Sequence, residues 1–297
     1  MMQRSLLAAL IVGLTAPIIG TYLVHRRLAM LGDGIGHISL TGVALGWLVG
    51  AFANVSPADS WAIPGAVIIS LLGAITIELV RQSGRTSGDT ALAMLFYGGI
   101  AGGVLLIGLA GGTSAQLNSY LFGSISTVRW SDITLITILG IAIVALGIGL
   151  APALFSVTND EDFARSTGLP VRTLSLLIAV LSALTVAVAM RVVGSLLVSA
   201  LMVIPVAIAQ LGARSFRSTM GIAMALGVVI CMSGLSLTYF IDLSPGATIV
   251  VGAIALYAIG FGIRAIVDRI RRVRRLRAAR SHNQHPEREL LAHADAS

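Results

Sequence analysis

Two side chains that could bind a metal ion lie inside an otherwise apolar stretch near the N-terminus. Asp33 and His37 occur in residues 30–42, MLGDGIGHISLTG, among several glycines. Residues four apart lie on one face of an α-helix, so these side chains converge. Ionisable groups are costly inside a membrane, and a carboxylate with an imidazole suits a divalent transition metal. The pair therefore predicts an ion site.

The two residues differ in their expected depth in the membrane. Asp33 closely follows Arg26 and Arg27, so its carboxylate could instead cap a helix near the membrane surface. His37 lies one turn deeper, where an imidazole still requires hydrogen-bond partners for its ring nitrogens. The ion-site interpretation therefore depends more on His37 than on Asp33.

Other ionisable residues near apolar stretches favour simpler roles. Glu78 precedes Arg81 by three residues, which predicts an exposed ion pair on one helix face. Asp242 lies just before the turn-forming segment SPG, which indicates a turn or a helix start. Neither acidic residue is expected to bind the ion.

The elements that must position Asp33 and His37 are membrane-spanning helices. The chain has 297 residues, of which 56% are hydrophobic and 11% charged, and its mean hydropathy is +0.94. Soluble domains have about 25% charged residues. Apolar runs of roughly 20 residues without strand-like alternation are typical of helices that cross a bilayer. The predicted fold class is an all-α integral membrane protein, a polytopic bundle of eight or nine transmembrane helices.

Nine apolar runs are candidate spans, and the sixth and seventh could form one bent unit. They cover approximately residues 5–24, 31–53, 62–80, 90–110, 132–155, 172–190, 192–213, 218–240 and 246–266. Arginines fall in alternate connections, at Arg26 and Arg27, Arg81 and Arg85, Arg165 and Arg172, and Arg214 and Arg217. Because positively charged loops stay on the cytoplasmic side, these connections and the C-terminus are predicted to be cytoplasmic.

The connection over residues 156–172 has the composition of a short helix. Asn159 is a candidate cap, the acidic residues 160–162 suit a first turn, and Gly168 and Pro170 would end the helix. This pattern predicts a cytoplasmic helix of two or three turns. From these residues alone, an ordinary capped loop helix is favoured over a docking role.

The C-terminus differs in composition from the rest of the chain. A transmembrane domain is predicted over residues 1–267, followed by a polybasic tail over residues 268–297. Arginine clusters beside a membrane bind anionic headgroups, so membrane lipids are expected partners of the tail. Its polar composition predicts disorder, and its irregularly spaced histidines argue against a metal site there.

Sequence motifs of nucleotide-binding sites, dinucleotide-binding sites and zinc proteases are absent. His25 and His37 are the only histidines before the tail, which leaves no Ser/His/Asp set for nucleophilic catalysis. The net charge of +7 comes from arginine and lies largely in the tail, so no nucleic-acid partner is expected. A transport pathway, a channel or a receptor is favoured over an enzyme.

Six segments, in order, resemble the ABC-3 family of metal-uptake ABC transporter permeases. The first, RRLAMLGDGIGHISLTGVALG, is similar to a family pattern of a basic pair followed by roughly LGDAxSHAxLPGVALG. The others are GDTALAMLFYGGIAGG from Gly88, SYLFGSI from Ser119, FARSTGLPVR from Phe163, RVVGSLLVSALMVIPVAIA from Arg191 and YFIDLSPGATIVV from Tyr239. The matches extend over about residues 5–265 and leave only the tail outside.

The resemblance implies a membrane permease subunit that moves zinc or manganese, with iron as the third metal of the group, into the cytoplasm. It implies that the protein lies in the inner or plasma membrane of a bacterium, and it implies three protein partners: a second copy, a cytoplasmic ABC ATPase subunit and an extracytoplasmic metal-binding protein. Asp33 and His37 would belong to the ion pathway, and no cofactor would be bound permanently. A short cytoplasmic coupling helix would dock on the ATPase through Glu161, Phe163, Ala164, Gly168, Leu169 and Pro170.

Three departures of the first segment from the family pattern lie close to His37 or one turn beyond it. Gly34, Gly36 and Thr41 stand where alanine, serine and proline are usual. The glycine at 36 removes a hydroxyl beside His37, and the threonine removes a helix kink. Two other functions stay open: an ABC permease for a metal chelate or vitamin, and a proton-coupled secondary carrier that uses Asp33 and His37 as a relay.

Overall fold

The computed structural model describes residues 2–53, 58–83, 88–111, 113–124, 130–241 and 243–294. These ranges contain twelve α-helices, one 3₁₀ helix at Ala58–Trp61 and no β-strand. The helices are α1 Met2–His25, α2 Ala29–Phe52, α3 Ala62–Ser83, α4 Gly88–Leu109, α5 Ser114–Phe122, α6 Trp130–Gly149, α7 Ala151–Asn159, α8 Glu161–Ser166, α9 Val171–Val193, α10 Val198–Gln210, α11 Phe216–Phe240 and α12 Pro245–Ala294. The predicted all-α fold is confirmed.

Eight of the described helices are long and apolar enough to cross a membrane, namely α1, α2, α3, α4, α6, α9, α11 and α12. The predicted span over residues 192–213 is shorter in the structure, because α10 has 13 residues. At 1.5 Å per residue it is about 20 Å long, less than the roughly 30 Å hydrocarbon core of a bilayer. The smaller of the two predicted span counts therefore applies to the described residues.

Gly194 separates α9 from α10. Its φ of +89° lies in the left-handed region that favours glycine. A Cβ atom at this position would lie 2.2 Å from the carbonyl oxygen of Leu121, at the end of α5. The next residue, Ser195, donates its backbone N–H to the carbonyl of Tyr120 at 2.9 Å. The break between α9 and α10 is thus fixed against α5.

Helices α1 and α9 are the most buried of the eight candidate spans, whereas α4 and α12 are the least buried. Helix α1 packs on α6, α9, α10 and α11, and α2 packs on α3, α4, α9 and α10. Glycines allow the closest crossings. A Cβ atom at Gly13 would lie 2.7 Å from the carbonyl oxygen of Gly227, and one at Gly42 would lie 2.5 Å from that of Gly65.

Arginine side chains gather at one end of the bundle. Arg26 at the end of α1 and Arg81 near the end of α3 both bind Glu161 of α8. The ring of His25 lies 5.0 Å from that of Phe216, the first residue of α11. We call this face the arginine-rich end, defined by Arg26, Arg81, Phe216 and α8. The alternate loops identified from the sequence therefore meet on one side.

Three details of the sequence interpretation are corrected by the structure. Helix α8 has only six residues, and its cap is Asp160, whose carboxylate accepts the backbone N–H groups of Asp162 and Phe163. Asn159, the expected cap, ends α7 instead. Glu78 is 1% exposed rather than solvent-facing, because its helix face packs inward.

The C-terminal segment continues α12 as far as Ala294, where the sequence composition predicted disorder. Arginine, leucine and alanine have high helix propensity, which accounts for helical geometry in this segment. The division into a domain over residues 1–267 and a tail over residues 268–297 stays a prediction. Asp242 and Arg85 lie outside the described residues.

Candidate functional site

The structure brings Asp33 and His37 together on one face of α2. The imidazole Nε2 of His37 lies 3.9 Å from Oδ1 of Asp33, a distance too long for a hydrogen bond. Helix α2 starts at Ala29 after Leu28, so Asp33 is inside the helix. The alternative role of Asp33 as a helix cap is therefore wrong.

His37 is deeply buried, and one of its nitrogens is unused. Its side chain is 2% exposed, and Nδ1 has no hydrogen-bond partner among the described residues. The ring of Phe96 covers it edge-on at 4.2 Å between centroids, and Gly99 packs directly on its backbone. A buried polar atom left unpaired costs about 1–3 kcal/mol. Such a cost is common at functional sites.

A cavity of about 320 Å³ opens beside Asp33 between α2 and α4, lined by Met30, Asp33, Gly34, Leu92, Ala93, Phe96 and Tyr97. Among the described residues that line it, Asp33 alone carries a carboxylate, and its side chain is 29% exposed. The carboxylate is thus accessible from the cavity, whereas the imidazole lies behind it. An ion entering from this cavity would meet Asp33 first.

The spacing of the two side chains suits a shared metal after a small movement. Metal–nitrogen and metal–oxygen bonds of about 2.1 Å at a tetrahedral angle separate the two donor atoms by about 3.4 Å. The observed 3.9 Å exceeds this by roughly half an ångström. Among the described residues, no group of three or more His, Cys, Asp or Glu side chains could hold a metal. The described residues therefore bring two such side chains, Asp33 and His37, to this site.

Two serines beyond the sequence-predicted pair border this site. Ser199, in the first turn of α10, donates its hydroxyl to Oδ1 of Asp33 at 2.9 Å. Ser195 is 2% exposed, and its Oγ has no hydrogen-bond partner among the described residues. Both serines belong to the segment from Arg191, RVVGSLLVSALMVIPVAIA, which resembles the ABC-3 family. The contacts of Ser199 with Asp33 and of Ser195 with Gly36 depend on tertiary structure, which no local pattern indicates.

Helix α8 is joined to the bundle through Glu161. This carboxylate binds the guanidinium of Arg26, whose side chain is 4% exposed and also donates to Oγ of Ser175 at 2.9 Å. It also accepts from Arg81 at 3.3 Å, and Arg81 is held by Glu78 at 2.8 Å. We call Arg26, Glu78, Arg81 and Glu161 the ion-pair cluster. The resemblance implies an ATPase-coupling role for Glu161, which stays a prediction; in the structure its carboxylate binds Arg26 and Arg81 of the transmembrane bundle.

Charge around Glu161 outweighs its partial burial. Burial raises the pKa of this carboxyl group, but hydrogen bonds and positive charge from Arg26, together with those of Arg81, lower it more. The net pKa is below the ordinary value of a glutamate. Glu161 is therefore a stable anion between the two arginines at neutral pH.

The remaining residues of the predicted coupling helix divide into inward and outward groups. Ala164 is fully buried, and Leu169 packs on the main core. Phe163 is 60% exposed, and Gly168 is exposed with a φ of +82°. Pro170 precedes α9 and is exposed. Phe163 is thus the large apolar group that α8 presents to the outside.

Comparison with known proteins gives matches over most of the chain. The sequence profile of the ABC 3 transport family matches residues 1–264. The manganese transport system membrane protein MntC of Halalkalibacterium halodurans is 32% identical over 88% of this chain and 86% of its own length. The high-affinity zinc uptake system membrane protein ZnuB of Haemophilus influenzae is 29% identical over 86% of this chain and 94% of its own length.

Solved structures show the same architecture. The PsaBC complex of Streptococcus pneumoniae bound to Fab contains a chain that superposes with a TM-score of 0.77. That chain is 31% identical, and the match covers 87% of this chain and 90% of the other. A transporter assigned to the metal-chelate type, in an inward-facing conformation, shares the fold alone at 20% identity and a TM-score of 0.62. With a profile match over nearly all of the transmembrane region, the chain belongs to the ABC 3 transport family.

Proposed function

We propose that this protein is the membrane-spanning subunit of an ABC importer that moves a divalent transition metal, manganese or zinc with iron as the third candidate, into the cytoplasm. The observation that supports it most directly is the Asp33–His37 pair on α2, 3.9 Å apart beside a cavity. The names of the manganese and zinc relatives agree with this ligand chemistry. Mixed oxygen and nitrogen donors suit all three metals.

A second copy of the chain would complete the ligand set. Helix α4 forms one wall of the cavity, and its residues Met94, Tyr97, Leu105 and Leu109 are each at least 61% exposed. This apolar face lies beside the cavity in which Asp33 is accessible. Two copies meeting across it would supply two carboxylates and two imidazoles. A transit site must also release its ion, so the binding there should be weak.

The arginine-rich end is the side on which an ATPase partner would dock. Positive charge favours the cytoplasmic side, so α8 and the C-terminal end of α12 would lie in the cytoplasm. Phe163 would contact the ATPase, and the ion-pair cluster would transmit its movement to α1 and α3. An extracytoplasmic metal-binding protein would deliver the ion at the opposite end. ATP hydrolysis by the partner would then alternate the dimer between outward- and inward-open states.

The test is uptake of labelled Mn²⁺ and Zn²⁺ by cells that express the complete transporter. Asp33→Ala and His37→Ala should each reduce uptake to the level of cells lacking the protein, because each removes a ligand. Asp162→Ala and His25→Ala are matched controls, since these residues lie outside the cavity near Asp33. Both controls should retain uptake, and all four variants should assemble with the ATPase in the membrane.

Three outcomes would contradict the proposal. Wild-type uptake by both Asp33→Ala and His37→Ala would remove the assigned pathway. Uptake of a metal chelate with no uptake of the free ions would favour a chelate permease. Uptake that requires a proton gradient and no ATPase subunit would favour a secondary carrier.

A further inference from the structure

The Asp33 carboxylate has one hydrogen-bond donor among the described residues, the hydroxyl of Ser199. The two residues are 166 positions apart in the sequence, and the distance from Oγ to Oδ1 is 2.9 Å. Ser199 lies in the first turn of α10, directly after the segment 194–197 that interrupts the α9–α10 pair. The break in the helix therefore brings this hydroxyl to the carboxylate.

Close backbone packing keeps the first turn of α10 beside Asp33. A Cβ atom at Gly36 would lie 2.7 Å from the carbonyl oxygen of Ser195. One helical turn away, a Cβ atom at Gly32 would lie 3.6 Å from the Cβ of Ser199. These two contacts lie on either side of Asp33 along α2. Ser199 is consequently held in position by its neighbours, independently of its own hydrogen bond.

We propose that Ser199 is a positioning residue of the ion site, an inference that rests on the proposed metal transport. Its hydroxyl holds Oδ1 of Asp33, which is also the oxygen nearest to Nε2 of His37. This contact fixes the rotation of the carboxylate, so that the ion meets one defined arrangement of oxygen donors. Oδ2 has no hydrogen bond within the described residues and stays available to the ion.

The expected effect follows from the behaviour of hydrogen-bond partners around metal ligands. Residues that orient a ligating carboxylate typically change metal affinity or activity by about 10–100-fold when removed. Loss of the Ser199 hydroxyl should therefore raise the KM for the ion by about tenfold or more, with a smaller change in kcat. A role limited to joining α2 to α10 would instead lower stability and leave the KM unchanged.

The experiment compares Ser199→Thr with Ser199→Val in the complete transporter reconstituted into liposomes. Threonine and valine have nearly the same shape and differ in the hydroxyl group. A difference between the two variants therefore reports the hydroxyl and not a change in packing. ATP-driven uptake is measured over a concentration series of Mn²⁺ and of Zn²⁺. Ser199→Thr should keep the KM within about threefold of wild type, and Ser199→Val and Ser199→Ala should raise it about tenfold or more. Ser182→Ala, which removes a buried hydroxyl bonded to Ile178 of its own helix, should leave the KM unchanged.

Asp33→Ala, measured in parallel, separates the proposed metal transport from the proposed positioning role of Ser199. If Asp33→Ala is inactive and Ser199→Val has the wild-type KM, the positioning role of Ser199 is refuted and the proposed transport stands. Equal KM values for Ser199→Thr and Ser199→Val would refute it as well. If Asp33→Ala transports normally, the proposed ion pathway fails and the role of Ser199 fails with it.

Discussion

Removal of the Glu161 carboxylate should loosen α8 from the transmembrane helices. In the structure this carboxylate bridges Arg26, which directly follows α1, and Arg81, which lies near the end of α3. Without it, the Arg26 guanidinium, whose side chain is 4% exposed, keeps only one partner within the described part of the chain, the hydroxyl of Ser175 at 2.9 Å. Arg81 retains Glu78 at 2.8 Å. The cost of Glu161→Ala therefore arises mainly at Arg26.

The magnitude follows from the burial of the two partners. Removing one member of a fully buried ion pair costs about 3–5 kcal/mol, whereas exposed pairs contribute about 0–1 kcal/mol. The Glu161 side chain is 37% exposed, so solvent screens part of the interaction. An intermediate loss of about 1–2 kcal/mol is expected. For a chain of this size, such a loss lowers the Tm by roughly 2–4 °C.

The assay measures the Tm of the purified transporter and its metal-stimulated ATP hydrolysis. Asp162→Ala is the matched control, because Asp162 is also an acidic residue of α8. Its partner Arg165 lies 3.7 Å away, and their side chains are 95% and 67% exposed, respectively. Glu161→Ala should lower the Tm and weaken metal stimulation of the ATPase, and Asp162→Ala should change neither. Equal Tm values for the two variants would refute the assigned role of Glu161.

The stabilisation that the Glu161 carboxylate contributes should decrease at acidic pH. The pKa of Glu161 is lower in the folded protein than the ordinary value of about 4.5. Its stabilisation is therefore complete above about pH 4.5 and is lost as the pH falls through the lowered pKa. The Tm difference between wild type and Glu161→Gln should have its largest value at pH 7 and should disappear as the pH falls through the lowered pKa of Glu161. A difference that grows as the pH falls would contradict the assignment.

Two further predictions concern helix packing and docking. Gly65→Ala places a Cβ atom 2.3 Å from the carbonyl oxygen of Gly42 and should destabilise the fold by about 1–3 kcal/mol, measured as a lower Tm. Gly221→Ala is its control and should leave the Tm unchanged, because a Cβ atom there would meet no atom within 4 Å. Phe163→Ala removes the 60% exposed ring on α8 and should weaken co-purification with the ATPase subunit without lowering the Tm; Ser166→Ala is its control. Unchanged ATPase binding by Phe163→Ala would place the docking surface elsewhere.

Features encoded by neighbouring residues could be predicted from the sequence, and features that depend on distant contacts could not. The spans follow from apolar runs of about 20 residues, and the Asp33–His37 pair follows from helix periodicity. The Ser199–Asp33 hydrogen bond joins residues 166 positions apart and had no local signal. The i,i+3 spacing identified the pair of Glu78 with Arg81 but not the direction in which that helix face points. Glu78 was therefore expected to be exposed, whereas it is buried.

The interruption between α9 and α10 shows why hydropathy alone overestimated one span. Residues 192–213 are predominantly apolar and carry no charged side chain, which conceals the change of backbone conformation. The change occurs at Gly194, where φ is +89° and α5 approaches too closely for a side chain. Glycine is frequent in transmembrane helices for packing reasons, so its presence did not distinguish a break from a crossing.

Two of the departures from the ABC-3 pattern in α2, at Gly36 and Thr41, have local structural explanations. A side chain at Gly36 would collide with the carbonyl of Ser195, so the broken segment before α10 occupies the space that a serine would need. Thr41, in place of the usual proline, donates its hydroxyl to the carbonyl of Gly99 at 2.8 Å. This bond joins α2 to α4 just above the site, and α2 is a continuous helix from Ala29 to Phe52. The glycine at position 36 therefore allows α2 to lie close to the segment before α10, and Thr41 joins α2 to α4.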